Sequence, residues 1–139
     1  MSPNTAQDWL AVAKERASDA EAIHKQYPNS VGAIYLAGYA IECTLKALLQ
    51  KRGISYPTSG REGHNLQGLW KAARFQFSDL QDTQGTQTFF LEKWSTDLRY
   101  ETALPVNIGL EVQELMTGAK HLSGRIRTEI RRSKPRKKP

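Results

Sequence analysis

Residues 30–53, SVGAIYLAGYAIECTLKALLQKRG, constrain the chain more than any other stretch. Val31, Ile34, Tyr35, Leu36, Tyr39, Ile41, Leu45, Leu48 and Leu49 leave no wide polar face on a helix, and a helix apolar around most of its girth is covered on several sides. Asn29 or Ser30 can cap its start, and Gly53 can stop it in the left-handed conformation that closes many helices. Ala33, Ala37, Gly38 and Ala40 provide small faces for close helix approach. Two charges interrupt this apolar helix: Glu42 and Lys46, four residues apart in the favourable acid-before-base order. Such charges must find partners when buried. The couple can fix helix register, or Glu42 can face a polar cleft where two protomers meet.

Four further stretches carry helical spacing and none carries convincing strand alternation. One runs from about Thr5 to Gln26, with Thr5 and Asp8 as a capping box and Pro28 as its stop. A Gly- and Pro-containing loop, residues 54–63, precedes a short helix over Asn65–Phe75. A helix over Thr88–Thr102 carries Phe89, Phe90, Trp94 and Leu98, and one over Asn107–Arg132 carries Leu115, Leu122, Ile126 and Ile130 on a stripe. The expected fold is all-α, a five-helix up-and-down bundle with short antiparallel connections. Residues 1–132 form one helical domain and residues 133–139 a basic, disordered tail.

Charge is concentrated at one end. Residues 125–139 hold eight basic side chains against Glu129, a local charge of +7, while the rest of the chain sums to −1. Arg131, Arg132, Lys134, Arg136, Lys137 and Lys138 could neutralise RNA or DNA phosphates without reading sequence, or could simply complement a helix C-terminus. No apolar run approaches the ~18 residues of a spanning helix, so no membrane segment is expected. The N-terminus lacks the pattern of a secretory signal, and the lone cysteine cannot pair within the chain, so the cytoplasm is expected. Cys43 reads as a small buried hydrophobe, and His24 and His121 as surface or packing groups. Trp9, Trp70, Trp94 and the phenylalanines read as core or interface. One Cys and three scattered His supply no metal-ligand set, and no phosphate-cradling glycine loop is present, so no cofactor is expected.

The segment YLAGYAIECTLKALLQKRG, Tyr35 to Gly53, resembles the central helix of bacterial HEPN-domain proteins: small and aromatic residues, a Glu, an apolar-Lys-Ala-Leu-Leu run, then Gly. His64-Asn65-Leu66 matches the His-x-Leu that opens a short helix in that family, and Trp94 with Arg99-Tyr100 matches its later helix. The resemblance covers roughly residues 6–130 and is specific around the second helix and His64. It implies a HEPN-like bundle with Glu42, Lys46, Arg52, Arg99 and Tyr100 at a binding or interface surface. A homodimer is expected as well, because the apolar second helix and Phe89, Phe90 and Trp94 offer surface beyond what one bundle would bury.

Many HEPN proteins are metal-independent ribonucleases that use an Arg, four to six residues, and a His. This chain departs from that pattern: seven residues separate Arg16 from His24, two separate Arg61 from His64, and no histidine closely follows Arg99. The resemblance therefore implies a non-catalytic binding module, partnered by a nucleotidyltransferase-like protein in a toxin–antitoxin pair or by a phage-defence protein. Two alternatives are a ribonuclease toxin with a degenerate site of Arg99, Tyr100 and His64, and a nucleic-acid adaptor acting through its tail. His64 can also serve only as a loop anchor bonded to the backbone.

Overall fold

The computed structural model describes residues 3–57, 63–82, 84–105 and 108–134. Among them are five α-helices, α1 (Ala6–Gln26), α2 (Val31–Arg52), α3 (Leu66–Ala72), α4 (Thr86–Glu92) and α5 (Val112–Arg132), and two short 3-10 helices, Phe77–Asp79 and Thr96–Tyr100. The described residues contain no strand. The fold is the all-helical, five-helix bundle expected. α2 is its axis, packed against α1, α5, α3 and the second 3-10 helix, while α4 sits on α5 and α3.

Local chemistry sets the boundaries of the two N-terminal helices. The Thr5 hydroxyl accepts the Asp8 amide, and the Asp8 carboxylate reaches back to the Asn4 amide rather than to that of Thr5. Ser30 caps α2 by accepting the Gly32 amide. Gly53, at φ 69°, ends it: the Ile54 amide reaches back to the Leu49 carbonyl at 2.9 Å. Ala33, Ile34, Ile41, Cys43, Leu45, Leu48 and Leu49 are completely buried.

α2 corrects one expectation. It is long and apolar enough to cross a membrane by length and composition, despite Glu42 and Lys46. However, 78% of its apolar window is buried inside the bundle, as in a core helix.

The three later helices are shorter than their periodicity suggests. α3 ends at Ala72 instead of Phe75, and Arg74 takes the left-handed conformation there, φ 68°. The expected Thr88–Thr102 helix is two pieces. α4 stops at Glu92, and the chain rewinds as a 3-10 helix whose Asp97 amide is capped by Ser95. Trp94 lies at the break, stacked on Tyr35 at 6.1 Å and filling the notch over Gly38 that any β-carbon would occupy. Side-chain packing therefore overrides a pattern that would continue the helix.

α4 starts two residues early because Asp82 binds its first turn. Its carboxylate accepts the Gln87 and Thr88 amides and the Thr88 hydroxyl, the last two at 2.7 Å. α5 begins at Val112, not near residue 107, which lies outside the described residues. Glu111 and Glu114 cap it reciprocally. At its other end Ser133 terminates the helix and Lys134 is non-helical. The rest of the expected tail, including Arg136, Lys137 and Lys138, lies outside the described residues.

The apolar surplus that suggested a dimer is consumed within the chain. Phe89, Phe90 and Trp94 are 4%, 0% and 5% exposed. Tyr27 and Tyr100 are the large hydrophobic side chains that stay exposed among the described residues.

Candidate functional site

The i, i+4 spacing on α2 stacks Glu42 and Lys46 on one face, and the bundle closes over both, leaving each 1% exposed. Lys46 Nζ donates to Glu42 Oε2 at 3.0 Å. Its ammonium also lies 5.0 Å from the Trp9 ring centroid, where the negative face of the indole attracts a cation. His64 Nδ1 is 2.8 Å from the other carboxylate oxygen, Oε1. Both oxygens are thus occupied, one by the helix itself and one by the chain entering α3. A half-satisfied buried charge would be costly.

The cluster extends outward through α1 and the segment after α2. Trp9 Nε1 donates to the Tyr56 hydroxyl at 2.8 Å, and that hydroxyl donates to Gln50 Oε1 at 2.9 Å. Burial pushes the Tyr56 phenol up, against the opposing hydrogen bond from Trp9. Asn65 caps α3 by accepting the Gly68 amide, which fixes the chain just after His64. The His64 ring is therefore anchored to a carboxylate, and no backbone partner is present among the described residues. Its side chain is 33% exposed, and Nε2 has no hydrogen-bond partner among the described residues.

Cys43 and Tyr39 lie on the same helix. The Cys43 thiol is fully buried, and burial followed by the Glu42 charge pushes it up to about 12. It is the buried hydrophobe expected, with no thiolate near neutral pH. Burial, then the charges of Cys43, Glu42 and Tyr35, push the Tyr39 phenol up.

Arg99 and Tyr100 occupy the second 3-10 helix at the Tyr35 end of α2, both exposed. The guanidinium lies 4.9 Å from the Tyr100 ring, and the hydroxyls of Tyr100 and then Tyr35 hold its pKa above the ordinary value. No hydrogen bond or ion pair joins either residue to His64 among the described residues. The three are not assembled into one bonded site.

Arg52, expected at an interface, is an internal clamp. It donates to the Ser133 hydroxyl at 2.9 Å, the Ala73 carbonyl at 2.8 Å and Glu129 Oε2 at 3.2 Å, joining the C-terminal ends of α2, α3 and α5. Lys51 adds a 2.6 Å bond to the Ile130 carbonyl. Of the tail cations, Arg131 contacts Thr128, Arg132 lies 3.9 Å from Glu129, and Lys134 is exposed. His24 bonds to Gln113 at 2.7 Å, a packing role, and His121 is exposed. Trp9, Trp70 and Trp94 are buried. Among the described residues no three His, Cys, Asp or Glu side chains gather as a metal ion would require.

Sequence reasoning missed Trp9, Tyr56 and Gln50 as members of the cluster. Tyr56 meets Trp9 across 47 positions, which no local spacing reveals. Comparison of the chain with family models, curated proteins and solved structures found no match.

Proposed function

We propose that the chain is a HEPN-type cytoplasmic protein that acts as a binding partner rather than a catalyst. It would pair with a nucleotidyltransferase-like protein in a toxin–antitoxin system, or serve in phage defence. The observation that carries this reading is the saturation of Glu42. The acid of the family-like helix is held on both oxygens, by Lys46 and His64, which suits a group that shapes a scaffold. The exposed Arg99–Tyr100 pair offers a partner a cation and a large aromatic, side-chain types enriched at interfaces. A second copy of the chain is one such partner.

Two measurements test this. Light scattering of the purified protein, alone and with a co-expressed nucleotidyltransferase-like neighbour, should report a dimer or a heteromeric complex that Tyr100→Ala weakens. A monomer in both samples would sink the proposal.

The Glu42–His64 hydrogen bond favours a second reading, a metal-independent ribonuclease. A carboxylate that fixes one imidazole nitrogen presents the other as a base, and His64 is partly exposed. RNA cleavage in chelator that disappears in His64→Ala and Arg99→Ala would establish it. Cleavage unchanged in both variants would eliminate this site.

A further inference from the structure

The end of α3 and the C-terminal half of α5 enclose a cleft of about 590 Å³, within the usual size of a small-ligand site. Its charged lining is Arg52, Arg74, Arg125, Asp79 and Glu129. Part of that charge is committed inside the fold. Arg52 is engaged by Ser133, Ala73 and Glu129, Glu129 also faces Arg132, and Asp79 accepts the Gln76 amide at 2.7 Å. Arg74 and Arg125 are exposed, with neither an ion pair nor a side-chain hydrogen bond among the described residues.

Arg74 is also held where arginine is a poor local choice. Its amide bonds to the Lys71 carbonyl and the Phe75 amide to that of Trp70, the same left-handed helix end that Gly53 forms on α2. A residue with a β-carbon is strained there, and strain of this kind concentrates at ligand sites.

The balance of charge selects the ligand. Three arginines against two acids leave the lining with one net positive charge. A single carboxylate matches that charge, and a guanidinium binds it through two parallel hydrogen bonds. A phosphate dianion, or the repeated phosphates of a nucleic-acid strand, would bring further negative charge against Asp79 and Glu129. The rest of the wall is apolar. Phe75, half-buried, stacks on Trp70 with centroids 4.2 Å apart, and Ile54 joins it on the lining.

We propose that this cleft binds a monocarboxylate attached to an aromatic or branched apolar group, the carboxylate held by Arg74 and Arg125 and the apolar group against Ile54 and Phe75. A free organic acid and the C-terminal residue of a polypeptide both present that chemistry. This site is separate from the Glu42–His64 cluster, and the proposal stands whichever reading of that cluster holds.

The full chain, isotope-labelled, is titrated by NMR with phenylacetate, with the neutral phenylacetamide, and with a short peptide ending in phenylalanine as free acid or C-terminal amide. Phenylacetate should bind at about 1 mM and shift the Arg74 and Phe75 amides, and each neutral amide should bind about 10-fold more weakly than its acid. Arg74→Gly removes the guanidinium while favouring the backbone, so its melting temperature should equal or exceed that of the wild type. Arg74→Gly and Arg125→Ala should each weaken binding of the acids by about 10-fold and leave that of the neutral amides unchanged. A peptide acid that binds more tightly than phenylacetate identifies a chain terminus as the occupant, and one that binds no more tightly identifies a free acid. Four results would overturn the proposal: no shift with either acid at about 20 mM, equal affinity for acid and amide, acid affinity unchanged in either variant, or adenosine monophosphate or single-stranded RNA binding more tightly than both acids.

Discussion

The buried Glu42–Lys46 pair makes the sharpest quantitative prediction. Each side chain is 2% exposed, so removing one partner strands a charge that water cannot reach. Lys46→Met should leave Glu42 with His64 as its remaining partner and cost about 3–5 kcal/mol, the range for breaking a buried ion pair. That is a large share of the ~5–15 kcal/mol that stabilises a typical domain. At about 4 °C per kcal/mol for a chain this size, the melting temperature should fall by about 12–20 °C. Glu42→Leu alone strands the ammonium over Trp9 and should cost a similar amount. The double variant Glu42→Leu/Lys46→Met fills the space with apolar groups. It should recover most of the loss, because such replacements are often close to neutral. His64 loses its acceptor in the double variant, but at 33% exposure water can replace it at small cost. Urea unfolding of the four proteins gives the double-mutant cycle, with an expected coupling that approaches the sum of the two single costs, about 5–9 kcal/mol. Single variants that each cost under about 1 kcal/mol, or a double variant as unstable as their sum, would refute the reasoning.

The remaining predictions concern individual positions. Cys43, with its thiol at about 12, should resist maleimide or disulfide reagents at pH 8 in the native protein and react at once in denaturant. Its raised pKa adds stability that is complete below the ordinary thiol value and lost as pH climbs toward about 12, so Cys43→Ala should flatten the alkaline limb of the stability–pH curve. Burial pushes the Asp82 carboxyl up, but hydrogen bonds from Thr88, Gln87 and Thr86 outweigh it and hold the group below the usual carboxylate range. Its stabilisation is therefore present above that range and lost as pH falls through the lowered value. Asp82→Ala should cost about 0.5–2 kcal/mol at neutral pH, and less in acid, by thermal unfolding. Gly38→Ala would drive a methyl into the Trp94 indole and should cost about 1–3 kcal/mol, visible as a blue- or red-shifted tryptophan emission together with a lower melting temperature. Unchanged emission and stability would mean that Trp94 does not seat in that notch.

The sequence by itself determined the axis of this protein. Ser30, the apolar girth of residues 31–49 and Gly53 fix α2 to within a residue, because a cap, a burial pattern and a left-handed stop act locally and agree. The spacing of Glu42 and Lys46 likewise guarantees that they meet on one turn, whatever surrounds them. Tertiary structure decided the rest. The aromatic run after Thr88 carries helical periodicity, yet α4 breaks at Lys93 because Trp94 gains more from the Gly38 notch and Tyr35 than from another helical turn. His64 and Glu42 are 22 positions apart, and Arg52 reaches Glu129 across 77. Those partners are chosen by how helices pack and by the cost of leaving a buried charge unpaired, and neither is written in the local spacing.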